Sequence, residues 1–449
     1  MKLTEFLNSD YCNYAAYDNT RKICSLIDGQ KISARKVLNT IIKDNITKDV
    51  KVENLMSRVS EQNEYMHGAG SLGGVIVNMA RRFVGTNNLP LLYNEGNFGA
   101  RFNNENSATR YIFTRKEQVL DYIFIKEDFP VLIEQVFEGT KIEPKYFVPI
   151  IPLLLVNGSE GISVGFAQSI LPRNPNEVIK YLLDYLDDKQ PDINKILPYY
   201  NGFTGRISRD PESNTRFYIK GTFVRENLTN ITVTELPIKY DLEQYCNVLD
   251  DLCEKKIIKS YKDKSTSTDD KFRFELRVTR EFSELNDDDI LQKLKLIETV
   301  SENYTCLDEN NRIFEADSLE ELVERYIDIR LNTYILRKNY VLKTMSEELK
   351  MLISKYTFIK GVIEGSIKIN NIPLDEIYKA LENVKNVIKI DDSFDYLMSI
   401  KASSFTKDHY VDLKNKIMSL KGEFDALKEK DTRTIWKEEL LQLKQKMNK

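Results

Sequence analysis

Cysteine and long apolar runs are both scarce in this chain. The five cysteines are odd in number and have no metal-ligand spacing, so neither a disulfide framework nor a zinc site is predicted. The longest apolar run, PIIPLLLV at 149–156, is far shorter than the ~20 residues of a transmembrane helix. The N-terminus also lacks the apolar core of a signal peptide. Together these absences predict a reducing, cytoplasmic protein.

Catalytic motifs are scarce as well. Only two histidines occur, His67 and His409, and the patterns CxxC, HExxH, GxSxG and GxxxxGK[ST] are absent. Zinc, serine-hydrolase and nucleotide-triphosphate chemistry are therefore not expected within these residues. The acidic run Asp287–Asp289 directly precedes a helical pattern, so it is interpreted as the start of a helix.

The composition is that of an ordinary globular chain with an uneven charge distribution. Hydrophobic residues make up 41% and charged residues 30% of the 449 positions, which favours two to four domains. Residues 1–120 carry 16 Lys+Arg against 12 Asp+Glu, within a chain of net charge -4. A positive front on an acidic body suits a polyanion such as nucleic acid, although chance explains the distribution equally well.

Proline and glycine divide the chain into two halves. Eleven of the 12 prolines and 15 of the 18 glycines precede residue 238. This distribution predicts a turn-rich, mixed front half and a mostly helical back half. Within the mixed part, β-forming residues cluster at 217–223, 231–236 and 272–278, and they predict a sheet in the middle third.

The back half contains a long amphipathic pattern. From Ser318 to about residue 363, apolar residues recur at helical spacing, which predicts a helix of roughly 70 Å. Helical spacing returns at 411–449. Because a long helix with a narrow apolar stripe needs a partner in water, the two segments predict an antiparallel coiled-coil arm with a helical knob at its tip. A globular helical bundle is the alternative.

Two candidate phosphate-binding segments lie in the basic front. The first is IDGQKISARKVL at 27–38, where Asp28-Gly29 is expected to turn the chain into a helix. This helix would display Lys31, Arg35 and Lys36, with the first two on one face. A solvated helix face with no ligand explains this segment more simply.

The second segment is a loop rich in glycine and asparagine, NEGNFGARFNNENSATRYIFT at 94–114, which contains Arg110-Tyr111 near its end. Between the two segments, YMHGAGSL at 65–72 has a His-Gly pair that is expected to open a helix continuing through Val84. By composition alone, a surface loop and a helix cap explain these features more simply than a catalytic site does.

Eight motifs in a fixed order carry a resemblance that covers nearly the whole chain. They are IDGQKISARKVL, YMHGAGSL, NEGNFGARF, TRYIFT, PIIPLLLVNGSEGISVGF, YNGFTG, VTELP and FDYLMSI. The set resembles the breakage-reunion region of type IIA DNA topoisomerases. The family's ATPase domain, Toprim metal-binding motif and C-terminal DNA-wrapping propeller have no counterpart here. This brevity most resembles the medium subunit of T-even-like bacteriophage topoisomerases, although several stretches resemble the eukaryotic enzyme more than bacterial gyrase.

The resemblance implies a catalytic set. Tyr111 matches the nucleophile that forms a 5′-phosphotyrosyl link with DNA, and Arg110 and Arg35 match phosphate-binding positions. His67 matches the active-site histidine, either as a hydrogen-bond donor to the reacting phosphate or as an aid to proton removal. Met66 stands where the eukaryotic pattern has another histidine.

The resemblance also implies DNA contacts outside the catalytic set. Lys31, Lys36 and Arg101 match basic positions that face DNA. Ile162 is the bulky apolar side chain at the centre of NGSEGISVGF (157–166), and the matching isoleucine of the family wedges between base pairs and bends the duplex. Burial of Ile162 in a sheet is the alternative.

An α+β multidomain architecture follows from the resemblance. It comprises a winged-helix DNA-cleavage domain at 1–145, an α/β tower domain at 146–317, a coiled-coil arm at 318–365 and 425–449, and a helical dimerisation knob at 366–424. A homodimer acting on double-stranded DNA is implied, within a heteromeric holoenzyme.

The resemblance implies that Mg²⁺ and ATP are both held by a partner subunit with Toprim and ATPase domains. The implied function is transient double-strand cleavage, strand passage and religation. Two other classes remain open: a catalytically inactive architectural DNA clamp of the same fold, and a nuclease-like protein that cuts without resealing. Covalent attachment of Tyr111 to DNA distinguishes the first, and reversal of cleavage on metal removal distinguishes the second.

Overall fold

The computed structural model of the protein describes residues 3–266, 271–401 and 404–448. The chain forms two compact units, which are described separately. The first comprises Met1–Lys126, Leu132–Arg330 and Lys437–Lys449, and the second Glu127–Val131 and Leu331–Trp436. Helices and strands are mixed, as the predicted α+β class requires. No helix within the described ranges has the length and apolarity of a membrane span.

The front of the first unit is a cluster of three helices and a small sheet. The helices are Ile32–Lys43, Val52–Asn63 and Ala69–Ala80. The antiparallel sheet has the spatial order Val50–Lys51, Phe113–Lys116, Leu92–Glu95. Apolar side chains at helical spacing are fully buried where the helices meet, so packing of these faces holds the cluster together. An N-terminal helical segment precedes it, with bounds Leu3–Phe6, Leu7–Tyr11 (a π-helical turn) and Cys12–Lys22.

Helix Ala69–Ala80 is shorter than expected. The pattern predicted helix through Val84, but Arg81 has extended backbone angles and ends the helix. Its side chain donates from Nε to the carbonyl of Phe98 at 2.9 Å and from an Nη to that of Asn104 at 2.6 Å. These bonds to a distant loop account for the early end.

Short elements continue the first unit up to residue 195. The helical ones are Leu120–Ile123, Leu153–Asn157, Pro175–Leu186 and the 3-10 helix Ile193–Lys195. A further 3-10 helix, Lys126–Val131, belongs almost entirely to the second unit. Two antiparallel hairpins lie among them, Val136–Phe137 with Thr140–Lys141 and Ser159–Ile162 with Ala167–Ile170. The second is called the Ile162 hairpin below.

The middle third contains β-structure as predicted, but the strands form two sheets and not one. One has the order Thr222–Asn227, Asn230–Glu235, Phe274–Arg277, Ser260–Asp263, and the other the order Ile297–Ser301, Arg216–Lys220, Arg206–Arg209. A shared apolar cluster packs against the first sheet and helix Leu242–Glu254. The remaining elements are helices Arg280–Ser283 and Asp287–Lys293 and the hairpin Thr305–Leu307 with Ile313–Glu315. The acidic run occupies the first turn of helix Asp287–Lys293, which confirms its assignment to a helix start.

The second unit is helical. Its elements are Leu374–Glu382, Asp395–Met398, Lys407–Glu429, most of Leu319–Ile363 and the start of Thr432–Met447. Tyr356 stacks on Tyr410 with ring centroids 4.7 Å apart, and Glu348 pairs with Lys416 at 3.4 Å. Residue numbers fall on one helix as they rise on the other, so Leu319–Ile363 and Lys407–Glu429 run antiparallel. At about 68 Å, the 45-residue helix has the predicted length.

The last helical segment is interrupted, whereas a continuous helix was expected over 411–449. Helix Lys407–Glu429 ends where Lys430 adopts an extended conformation. The Lys338 ammonium donates to the carbonyls of Lys428 and Lys430 at 2.8 and 2.6 Å, satisfying groups that have no partner inside the helix. Helix Thr432–Met447 then begins, and its Trp436 is fully buried against Tyr334.

A buried ion pair joins three segments of the first unit. Arg35 donates from Nε and an Nη to the two Asp28 carboxylate oxygens at 2.6 and 3.0 Å, and both side chains are almost fully buried. The backbone N–H groups of Gln30 and Phe147 donate to the same carboxylate. Burial by itself lowers the pKa of the Arg35 guanidinium, but the Asp28 charge outweighs it and raises that pKa. The expectation that Arg35 is displayed on the helix surface is therefore wrong.

We expect Arg35→Ala to destabilise the protein, because it leaves the Asp28 carboxylate buried without a cation. The free energy of unfolding should fall by about 3–5 kcal/mol. Urea denaturation followed by far-ultraviolet circular dichroism measures the change. The matched control is Lys189→Ala, which removes an exposed cation paired with Asp184 and should leave the free energy of unfolding nearly unchanged. Equal stability of the two variants would contradict the structural role of Arg35.

Candidate active site

Tyr111 lies near the end of the loop 96–112 that joins two strands of the front sheet. Its side chain is 67% exposed, whereas the next residue, Ile112, is 1% exposed. The Arg110 guanidinium carbon lies 5.1 Å from the centroid of the Tyr111 ring, within range of a cation–π contact. Neither side chain forms a hydrogen bond or ion pair with any described residue. The loop thus presents a free phenol and a free guanidinium side by side.

The backbone of this loop is firmly held. The first two residues of helix Val52–Asn63 donate their N–H groups to the carbonyls of Ile112 and Thr109, at 3.0 and 3.3 Å. These N–H groups have no partner inside the helix, so the loop satisfies them. The Thr109 methyl group also lies against Gly73, where an added Cβ would be 3.0 Å away. The exposed phenol is therefore carried on an ordered support.

His67 precedes helix Ala69–Ala80, the helix that Thr109 contacts through Gly73. The His67 Nε2 atom lies 2.9 Å from the hydroxyl of Tyr17, and the ring of Tyr65 packs edge-on at 5.4 Å between centroids. Partial burial, followed by the charges of Arg21 and Lys36, lowers the pKa of His67 below its usual value. The imidazole is therefore neutral at pH 7.

Two further basic residues, Lys36 and Arg101, are engaged inside the protein. The Lys36 ammonium donates to the Glu143 carboxylate at 2.9 Å and to the Asn63 carbonyl at 2.5 Å. Arg101 is 5% exposed. Its guanidinium donates to the carbonyls of Leu236, Pro237, Ile238 and Tyr240. The expectation that they face DNA does not fit this burial, because their charged groups are used to join distant segments.

Lys31 is only partly engaged. It precedes helix Ile32–Lys43, and its ammonium donates to the Glu160 carbonyl at 2.8 Å. The side chain is partly exposed. Since an ammonium has three N–H donors, this bond leaves donors for an anion. Among the residues predicted in the segment 27–38, Lys31 is the one that remains available at the surface.

The Ile162 hairpin projects Ile162 into solvent. This side chain is 82% exposed, so its burial in a sheet is excluded. The hairpin is tightly packed directly beside Ile162: a Cβ added to Gly161 would lie 2.3 Å from the Lys22 carbonyl oxygen. The Val164 N–H donates to the Asp18 carboxylate at 3.1 Å. The N-terminal helix thus fixes the hairpin that carries Ile162.

The contribution of the N-terminal helix was not predicted from the sequence. Its adjacent residues Tyr17 and Asp18 contact His67 and the Ile162 hairpin, respectively. A sequence signal exists, since Tyr11, Tyr14 and Tyr17 recur about one helical turn apart. Periodicity does not identify the partner, which lies 50 residues away in the case of Tyr17.

The donor set for a metal ion is poor. Across 3–266, 271–401 and 404–448, no three His, Cys, Asp or Glu side chains lie together in a way that could hold a metal ion. The described residues therefore offer no site with three such protein ligands.

Comparison with known proteins identifies the family. Residues 21–441 match the model of the family described as the A subunit of DNA gyrase/topoisomerase IV. The chain is 34% identical over 455 residues to the mitochondrial DNA topoisomerase 2 of Dictyostelium discoideum, covering 99% of this chain and 35% of that protein. It is 29% identical over 453 residues to DNA topoisomerase 2 of Invertebrate iridescent virus 6, covering 99% of this chain and 39% of the viral protein.

A solved structure is similar along the same extent. The crystal structure of the Plasmodium falciparum topoisomerase II DNA-binding, cleavage and re-ligation domain superimposes with a TM-score of 0.86 at 27% sequence identity. The match covers 99% of this chain and 64% of that chain. The chain spans about a third of the length of the curated relatives named above. On the family match, the sequence identity and the shared fold, the chain belongs to the type IIA topoisomerase family that includes the A subunit of DNA gyrase/topoisomerase IV.

Proposed function

We propose that this chain is the DNA breakage-reunion part of an ATP-dependent type IIA topoisomerase. The observation that carries the proposal is the exposed Tyr111 beside Arg110 on an anchored loop. A nucleophile that must reach a phosphate of a DNA duplex has to project from a firmly held backbone. In this loop the Tyr111 side chain is exposed and the backbone is anchored. The structural relative is named for DNA binding, cleavage and re-ligation, which agrees with this assignment.

The proposed reaction is a reversible transesterification. The Tyr111 oxygen attacks a DNA phosphorus and loses its proton, a phosphotyrosyl bond forms at the 5′ end, and the bond to the 3′ oxygen breaks. The departing oxygen takes up a proton and becomes a 3′-hydroxyl, whose later attack reverses the step. A phenol is mostly protonated at neutral pH, and charge builds on the phosphate oxygens, so nearby donors accelerate the reaction.

Arg110 and His67 are the proposed catalytic partners of Tyr111. The Arg110 guanidinium is free to contact the reacting phosphate. The neutral imidazole of His67 donates a hydrogen bond to the same phosphate. Arg35 is proposed to act indirectly, since its buried bonds to Asp28 fix the backbone that leads to Lys31. Lys31 then contacts the DNA backbone as a point charge.

We propose a DNA-bending role for Ile162. Inserting an apolar side chain into a base step costs about a few kcal/mol of unstacking energy, and contacts along the bent duplex offset that cost. The high exposure of Ile162 and the anchored backbone on either side of it suit such a wedge. Flexible pyrimidine–purine steps would be preferred, giving site preference without hydrogen bonds to base edges.

The finer architecture is also a proposal. The three helices and three-stranded sheet of the front suit a winged-helix DNA-cleavage domain, in which Tyr111 lies at the end of the loop between the two longer strands. The middle sheets suit the tower, and the antiparallel pair Leu319–Ile363 and Lys407–Glu429 suits the coiled-coil arm. The second segment of the arm, expected at 425–449, is therefore proposed to begin earlier, within 407–424. The apolar cluster of the second unit around Phe358 and Phe394 suits a knob that dimerises with a second copy.

Metal and nucleotide functions are proposed to lie outside these 449 residues. Mg²⁺ and ATP would be held by Toprim and ATPase domains on a partner subunit, as in the T-even-like bacteriophage enzymes. The complete assembly would then cleave double-stranded DNA, pass a second duplex and reseal the break.

We expect Tyr111→Phe to abolish covalent attachment to DNA while changing the DNA dissociation constant less than about twofold, because only the nucleophilic oxygen is lost. The variant is assembled with the subunit that supplies Mg²⁺ and ATPase functions, and adducts are counted after denaturation. The matched control is Tyr122→Phe, which alters another exposed tyrosine of the same unit and should retain full cleavage. Adducts that persist in Tyr111→Phe would remove Tyr111 from its role. Their absence from the parent would favour the inactive clamp.

We expect Ile162→Ala to reduce DNA bending and to slow cleavage by about tenfold or more, since the wedge is removed. Energy transfer between dyes at the two ends of a short duplex measures the bend. Val224→Ala is the control, because Val224 is also exposed and apolar but lies in the middle sheet. Unfolding curves should be unchanged in both variants, since each side chain is exposed. A duplex bent equally by Ile162→Ala and the parent would refute the wedge.

A further inference from the structure

Tyr17 makes a contact with His67 that the assigned motifs do not include. The hydroxyl of Tyr17 lies 2.9 Å from Nε2 of His67, and the His67 ring is also covered on one edge by Tyr65. Arg21, one turn further along the N-terminal helix, lies 5.6 Å from the centroid of the Tyr17 ring. His67 is therefore held by side chains from outside its own motif.

The backbone that carries Tyr17 is fixed, although its side chain is half exposed. The next residue, Asp18, accepts the Val164 N–H at 3.1 Å and pairs with Lys22 at 2.9 Å. The Lys22 carbonyl oxygen packs directly against Gly161 of the Ile162 hairpin. Tyr17 is thus a positioned side chain rather than a free surface one.

Hydrogen-bond chemistry indicates which of the two side chains, Tyr17 or His67, is the donor. A neutral imidazole has one N–H and one lone pair, and the protonated nitrogen is set by what the other nitrogen binds. A phenol donates a stronger hydrogen bond than it accepts, so the Tyr17 hydroxyl donates to Nε2. The proton of His67 then lies on Nδ1, which forms no hydrogen bond with any residue in the described ranges.

We infer that Tyr17 is a positioning residue that fixes the Nδ1–H tautomer of His67 and so aims a hydrogen-bond donor at the phosphate attacked by Tyr111. The tautomer follows from the Tyr17–His67 distance and the chemistry of a phenol, whereas its use in cleavage rests on the proposed function. The charged and titratable groups facing His67 are Tyr17 and Arg21 of the N-terminal helix, Lys36 of helix Ile32–Lys43, and Tyr65. A hydrogen bond donated to Nε2 favours the neutral imidazole and so lowers the pKa of His67. The positive charges of Arg21 and Lys36 lower that pKa as well.

Nitrogen NMR of the chain labelled with ¹⁵N-histidine tests the tautomer directly. Only His67 and His409 contribute, so His409 is an internal reference. We expect the parent to show His67 as the Nδ1–H form, with a pKa below the usual value for histidine. In Tyr17→Phe the tautomer should shift towards Nε2–H and the pKa should rise. The control Tyr14→Phe removes an exposed hydroxyl one turn earlier in the same helix and should match the parent.

Identical His67 spectra in Tyr17→Phe and the parent would overturn the inference, because the ring and its packing are retained and only the hydroxyl is lost. This measurement needs neither DNA nor a partner subunit. Its outcome is therefore separate from the fate of the proposed function.

Cleavage kinetics in the complete assembly test the use of the tautomer. Tyr17→Phe should slow cleavage by about fivefold with unchanged DNA affinity, as for the loss of one hydrogen bond. If cleavage requires neutral His67, its rate falls as the pH drops through the pKa of His67. Because that pKa is expected to rise in Tyr17→Phe, the acid limb of the pH–rate profile should move to higher pH in this variant. In a His67→Ala background, Tyr17→Phe should have no further effect. A full effect in that background would overturn the positioning role, whereas adducts surviving in Tyr111→Phe would overturn the proposed function instead.

Discussion

The Asp28 carboxylate is the charge on which the front of the molecule depends. It is completely buried, and a buried carboxylate is tolerated only when cations and N–H donors surround it. Arg35 supplies the cation, and the N–H groups of Gln30 and Phe147 supply further donors. One side chain therefore holds together the turn at Gly29, the helix that follows and a segment 119 residues further along the chain. The positions of Lys31 and of the following helices derive from this arrangement.

The candidate site follows the opposite rule. The Tyr111 and Ile162 side chains are exposed, and it is the backbone around them that is held. Tyr111 is carried by a loop fixed by the N–H groups of Val52 and Glu53, and Ile162 is carried by a hairpin fixed by Asp18. Anchored backbone with free side chains is suited to a large ligand, because little conformational entropy is lost when the ligand docks. A DNA duplex is a ligand of this kind.

Sequence reasoning succeeded where the signal was local. Helical periodicity located the 45-residue helix, and β-forming clusters located the middle sheets. It failed for the burial of Lys36 and Arg101, because their partners are remote in the sequence. Lys36 meets Glu143 at a separation of 107 residues, and Arg101 meets Ile238 at 137. A lysine or arginine on a helix or loop looks the same in sequence whether it binds solvent, a phosphate or a distant carbonyl. Tyr17 was missed for the same reason.

Trp436 gives the second unit an optical signature of its own. It is the only tryptophan in the chain, fully buried and 5.7 Å from the ring of Tyr334. Emission excited at the red edge of the absorption band therefore comes from one site, and that site belongs to the unit without Tyr111. Loosening of this packing would shift the emission to longer wavelength, whereas the unit that contains Tyr111 has no tryptophan and contributes nothing to that signal. The packing of the second unit around Trp436 can accordingly be followed in solution without adding a label.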